Sequence, residues 1–330
     1  GDRNYKSTTR DVKKLIERLK KKQVEAIIVD LRGNGGGSLE EARSLTGLFI
    51  DQGPMVQVKS ARRRTSVLAD QDDQVYWDGP LVVMVNRLSA SASEIFAGAM
   101  QDYGRAIIVG NQTFGKGTVQ TLIPLNRGQL KLTAAKFYRI SGESTQHQGV
   151  IPDIHFPELY DSSKIGESSH DDAMPWDTIR PANYEIYSNM GPYINSMRVA
   201  HKSRTADNAE FSYFKAIASR NKAFAERTHI SLNEKIRIKE KLEDDSWRLN
   251  LENQLRLAKG KTLAKDLDHL DELEKEESEK DKDQIATETE TSSLESQEEI
   301  ETIEDDALIE EAGFIALDLI GLNKSLASTN

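Results

Sequence analysis

The sequence predicts an α/β core followed by a mainly α-helical C-terminal region. Three observations carry this. Short β-branched apolar runs alternate with amphipathic helical patterns through the first 110 residues. The pattern then changes to strand-like segments as far as about Asp153, and the stretch from about Asp207 to Leu267 is charged and helix-forming.

Thr8 and Asp11 have capping-box-like spacing ahead of Val12, Leu15, Ile16 and Leu19, which share one helical face, so a first helix is expected to end near Lys22. Val24 to Leu31 reads as a buried strand that runs into Arg32-Gly33-Asn34-Gly35-Gly36-Gly37. Ser38 and Glu41 form a second capping box, and the helix they open is expected to reach Gly53-Pro54. Leu81 to Val85 reads as a strand, Ser89 to Tyr103 as a helix and Ala106 to Val109 as a further strand. Thr118 to Pro124 and Leu130 to Ile140 are strand-like, broken by Gly128 and Gly142.

These patterns divide the chain into an α/β core over 1–157, a linker and the start of a C-terminal extension over 158–206, and a helical domain over 207–270. An acidic segment over 271–304 is too poor in apolar residues to offset its ordering entropy, so disorder or a solvated charged helix is expected there. A terminal amphipathic helix over 305–330 is expected to dock on the helical domain.

A net charge of -10 argues against a nucleic-acid surface, which needs a basic excess. No apolar run has the length of a membrane span. The absence of cysteine excludes disulfides, thiolate metal sites and a cysteine nucleophile.

Asn86-Arg87-Leu88-Ser89-Ala90-Ser91-Ala92-Ser93-Glu94 places serines at a helix start after a buried strand. Unpaired N–H groups and the positive end of the helix favour an oxyanion there, although a serine at this position is also an ordinary N-cap. A hydroxyl nucleophile needs a base. The six histidines all fall at or after residue 147, and none sits in a glycine-flanked turn, which disfavours a Ser-His-Asp triad. Lys116, between Gly115 and Gly117, is the alternative; an isolated lysine in such a turn is more often simply solvated.

Gly110 to Lys116 satisfies most of a phosphate-binding loop, but Gly117 stands where a magnesium-binding Ser or Thr is required, and strand follows instead of helix. The glycines from Gly33 break the dinucleotide fingerprint at Ser38.

Taken together, Asp30-Leu31-Arg32-Gly33-Asn34-Gly35-Gly36-Gly37, Ser89-Ala90-Ser91-Ala92-Ser93-Glu94 and Phe114-Gly115-Lys116-Gly117-Thr118-Val119-Gln120 resemble the C-terminal processing peptidases, most closely their tail-specific branch. The similarity runs from about Thr9 to Gly149-Val150-Ile151-Pro152-Asp153. It implies a core of the crotonase and Clp-protease type, with Ser91 as nucleophile and Lys116, 25 residues on, as general base. By matching positions it implies that Gln120 orients the lysine, that Gly36, Gly37 and Ala92 form an oxyanion and substrate loop, and that Asp102, Glu94 and Thr113 support activity; Asp102 is equally read as fixing a helix end. It implies no cofactor and no metal, substrates that are proteins or peptides with apolar C-termini, a lipoprotein adaptor and a periplasmic location. The family carries a PDZ domain, and no complete one fits ahead of Thr9. The alternative, a non-catalytic peptide-binding scaffold on the same fold, predicts loss of the serine or the lysine, and both are present.

Overall fold

A computed structural model of the chain describes residues 5–61, 64–70, 73–288 and 306–327. It divides into two compact units, one of Gly1–Phe156, Tyr160–His201 and Ala312–Asn330 and the other of Pro157–Leu159 and Lys202–Glu311.

The first unit contains two four-stranded sheets. One is parallel, built from β1 (Ile27–Asp30), β4 (Leu81–Val85), β5 (Ile107–Gly110) and β8 (Ile154–His155), in that order. All residues of β4 and β5 are buried, as expected for parallel strands covered on both faces. The other sheet is antiparallel, with β2 (Gly53–Lys59), β3 (Ser66–Asp70), β6 (Thr118–Pro124) and β7 (Gln129–Tyr138) in the order β3-β2-β7-β6.

Helices α1 (Thr8–Lys21), α2 (Leu39–Thr46) and α3 (Ala92–Asp102) complete the core. Helix α3 is buried from Ser93 to Met100. Its Phe96 and Met100 pack with Val83, Val85 and Ile108 of the parallel sheet, while Ile95 packs with Val56 and Phe137 of the antiparallel one. A helix so enclosed holds its N-terminus rigidly, and that end carries Ser91.

Several elements differ from the sequence reading. The N-cap of α1 is Ser7 rather than Thr8; its Oγ accepts from the Arg10 N–H at 3.2 Å and donates to Glu41 Oε2 at 3.1 Å. Helix α2 stops at Thr46 rather than near Gly53, and Gly53 opens the β2–β3 hairpin, for which the pattern gave no signal.

The stretch over 158–206 carries defined structure. Tyr160–His201 belongs to the first unit, which holds α4 (Gly191–Arg204) as far as His201. Its Ser, Asp and Gly residues look like spacer by composition, yet the carbonyls of Ser162 and Ile165 accept from Arg87 of the core.

The second unit includes α5 (Ala209–Ala225), α6 (Glu234–Ala258) and α7 (Leu267–Glu288). Asn208 and Asn233 cap α5 and α6 through their side-chain oxygens. Of the acidic stretch over 271–304, residues up to Glu288 are helical in α7, and 289–304 lie outside the described residues. Helix α8 (Ala307–Ala327) buries Ala312, Ile315, Ala316 and Leu319. From Ala312 onward it belongs to the first unit, where Lys324 pairs with Glu25 at 2.7 Å, rather than to the helical one. Among the described residues no helix is long and apolar enough to cross a membrane.

Candidate active site

Three loops leave the C-terminal ends of neighbouring parallel strands, where α/β folds build their sites. The glycine loop follows β1, the serine turn follows β4 and the lysine loop follows β5.

Ser91 adopts φ 58°, ψ -110°, unusual for a residue with a Cβ. Such a conformation costs on the order of 1–3 kcal/mol and persists only where its surroundings over-determine it. Here they do. The Ser91 N–H donates to Glu94 Oε2 at 2.7 Å, the Ala90 N–H donates to the Asn34 carbonyl at 3.0 Å, and the Ser93 hydroxyl donates to that same carbonyl at 3.0 Å. Ser89 is fully buried, donating to the Leu31 carbonyl at 2.7 Å and accepting the Asn86 N–H at 3.0 Å. The flanking serines are thus structural, and half-buried Ser91 is left at the helix tip.

Gly36 lies directly on this turn. With φ +88°, an added Cβ would stand 2.4 Å from the Ala90 carbonyl oxygen and 2.8 Å from the Ala92 nitrogen. Gly37 has nothing within 4 Å of such an atom, so its lack of a side chain has no packing cause inside the chain. Ala92 is the first residue of α3, and an N–H there has no intrahelical acceptor. Beside these residues a cavity of about 180 Å³ is lined by apolar Leu31, Ala42, Leu45 and Phe96 and by polar Asn34 and Glu41, with Gly36, Gly37 and Ala92 also in its lining.

Glu94 joins the serine turn to the lysine loop. Besides Ser91, its carboxylate accepts from the Thr113 hydroxyl (2.6 Å), the Gly115 N–H (2.7 Å) and the Lys116 N–H (3.0 Å). Glu94 is fully buried, and desolvation pushes its pKa up to about 7 against the pull of those four donors. Thr113 also accepts the Val150 N–H at 2.7 Å. The lysine loop is pressed against residues 146–147: the His147 N–H donates to the Gly115 carbonyl (2.9 Å), and the Gly117 N–H to Gln146 Oε1 (2.9 Å). Lys116 itself is half-buried.

The structure therefore brings Ser91, Ala92, Glu94, Gly36, Thr113 and Lys116 together, and Gly37 lines the adjoining cavity. It does not bring Asp102 there. That residue ends α3, roughly 15 Å along the helix from Ser91, and its buried carboxylate pairs with Arg139 at 2.5 and 3.1 Å. Its role as a helix-end anchor is the one the geometry supports. Gln120 is exposed on β6 at the register shift between Val119 and Gln120, and no hydrogen bond among the described residues joins it to Lys116. Asn34, Asn86 and Gln146 were not singled out in the sequence. Asn34 and Asn86 sit in or beside recognisable motifs, but nothing local says that their amides and carbonyls tie one motif to the next.

Residues 3–156 match the model of peptidase family S41, and residues 160–321 match the C-terminal domain of tail specific protease. The tail-specific protease of Haemophilus influenzae is 45% identical over 278 residues, covering 81% of this chain and 40% of that protein. The carboxy-terminal-processing protease of Bartonella bacilliformis is 40% identical over 169 residues, 48% of this chain and 38% of that protein. A solved structure of the photosystem II D1 C-terminal processing protease is 32% identical over 48% of this chain and 42% of its own, with a TM-score of 0.44. The chain spans about two fifths of the length of the two curated relatives. Its two matched regions, in this order, and its identity to those relatives place the chain in the C-terminal processing peptidase family, with the tail-specific proteases.

Proposed function

We propose that this chain carries the catalytic part of a serine endopeptidase that cleaves proteins or peptides recognised through their C-termini. Ser91 Oγ attacks the scissile carbonyl carbon while Lys116 Nζ takes its proton. The tetrahedral oxyanion is received by the Ala92 N–H and the backbone of the Gly36-Gly37 loop. When the C–N bond breaks, Lys116 returns the proton to the departing amine, and a water molecule then hydrolyses the acyl ester by the same path. Gln120 orients the Lys116 amine once substrate is bound. The neighbouring cavity accepts an apolar side chain beside the scissile bond.

The observation that carries this reading is the Glu94 carboxylate. By accepting from both Ser91 and Lys116 on one oxygen it keeps their two backbone nitrogens within two hydrogen-bond lengths of each other, at a turn where Ser91 has positive φ. A family habit supports the remaining elements: a core of the crotonase and Clp type over 1–157, substrates with apolar C-termini, a lipoprotein adaptor and a periplasmic location.

The test is incubation of the full chain with an unstructured protein substrate, with products identified by mass. Cleavage that disappears in Ser91→Ala supports the reading. Binding without cleavage by the wild type identifies a scaffold instead.

A further inference from the structure

The polar stretch over 161–170 touches both sides of the proposed dyad. Arg87, just ahead of the serine turn, is 1% exposed. Its guanidinium donates to the carbonyls of Ile165 (2.6 Å) and Ser162 (3.1 Å), to the Ser168 hydroxyl (3.1 Å), and to the Thr113 carbonyl at the head of the lysine loop. On the other side, the Glu167 N–H donates to the Phe114 carbonyl at 2.9 Å. Glu167 Oε1 accepts from Gln146 Nε2 at 3.0 Å, and Gln146 Oε1 accepts from the Gly117 N–H at 2.9 Å. Both peptide neighbours of the Gly115-Lys116 unit are thereby tied, directly or through one side chain, to residue 167.

The chemistry of this relay is directional. A buried glutamine amide has two ends of nearly equal size, one accepting and one donating. Fully buried Gln146 must present its oxygen to Gly117, because a nitrogen there would face an N–H. An acceptor-only carboxylate at the far end selects that orientation, since it bonds to the amide nitrogen alone. The match to the C-terminal domain of tail specific protease begins at residue 160, so Glu167 lies in the region that follows the peptidase match.

We propose that Glu167 is a positioning residue for Lys116, acting through Gln146, and that segment 161–170 is a strap belonging to the catalytic machinery. The proposal rests on the Ser91–Lys116 reading. Loss of the carboxylate frees the Gln146 amide to rotate and lets the lysine loop shift, and a displacement of about 1 Å in a catalytic group is enough to cost up to two orders of magnitude in rate.

The experiment measures kcat, KM, the pH profile of kcat and thermal unfolding for the full chain carrying Glu167→Ala, Glu167→Asp or Glu167→Gln, beside Ser91→Ala. Glu167→Ala is expected to lower kcat by about tenfold or more with KM within about twofold, and to displace the rising limb of the pH profile. Glu167→Gln, which keeps an acceptor oxygen, is expected to recover most of the rate. Glu167→Asp, one methylene short, should fall between them and keeps the charge if the alanine variant folds poorly. Wild-type kcat and pH profile in Glu167→Ala, with Ser91→Ala inert, would overturn the strap while leaving the dyad standing. A loss explained by unfolding alone, equal in the glutamine variant, overturns it too. Cleavage by Ser91→Ala removes the dyad, and the strap with it.

Discussion

Ser91 and Lys116 donate their backbone N–H groups to the same oxygen of Glu94, at 2.7 and 3.0 Å. The residue that sets the spacing of the proposed nucleophile and base is thus neither of them. With Thr113 and Gly115 also donating, all four partners require an acceptor-only, ionised carboxylate.

Glu94→Gln is therefore expected to lower kcat by at least about tenfold, equivalent to about 1.4 kcal/mol of barrier, because one end of the amide must face an N–H. In the wild type kcat should rise with pH through about 7 as Glu94 ionises. A flat profile from pH 6 to 8 would contradict this.

Stability should move in the opposite sense. A carboxylate whose folded pKa is raised holds its proton in the folded state while the unfolded chain has released it. Its contribution is thus greatest below about 4.5 and is lost as pH rises to about 7, by on the order of 3 kcal/mol. Unfolding in denaturant at pH 4.5 and 7.5 checks it: the stability of wild type relative to Glu94→Gln should fall between the two.

Ser91→Ala and Lys116→Arg should both be nearly inactive with little change in thermal unfolding. A guanidinium cannot accept the serine proton in this pH range. Peptide turnover by Lys116→Arg at wild-type rates would exclude Lys116 as the base.

Ser89→Ala and Ser93→Ala should retain measurable activity but lose stability. Each hydroxyl satisfies a backbone carbonyl, and removing the buried Ser89 hydroxyl is expected to cost about 1–3 kcal/mol. Thermal unfolding separates this loss from a catalytic one.

The two loop glycines should part company. Gly36→Ala forces a Cβ against the Ala90 carbonyl and the Ala92 nitrogen, so both activity and stability should drop; Gly37→Ala meets nothing within 4 Å and should unfold like the wild type. Any activity that Gly37→Ala loses then reports on substrate approach alone, read as kcat/KM at unchanged melting temperature.

Asp102→Asn should act on folding rather than chemistry, because it removes the charge paired with Arg139, which keeps Gln101 Oε1 and the Gly98 carbonyl as acceptors, at about 1–3 kcal/mol. Turnover per folded molecule should stay within about twofold.

The sequence by itself determined most of the core elements, though not the β2–β3 hairpin, and it marked the proposed chemical actors. Buried strands such as Leu81–Val85 are legible as unbroken apolar runs, and Ser91 and Lys116 stand out because glycines, small residues and a helix start surround them, all of it local information. Only the tertiary structure decided how the actors are held. Glu94 bonding to Lys116, Gly36 lying on the Ala90–Ala92 backbone and Glu167 reaching Gly117 through Gln146 all depend on β1, β4 and β5 being neighbours in one parallel sheet. For the same reason Asp102, close to Ser91 in sequence, is carried away along a rigid helix, while polar residues over 161–170 that resemble a spacer are drawn into the site. Strand order follows from how the whole core packs, and no window of residues encodes it.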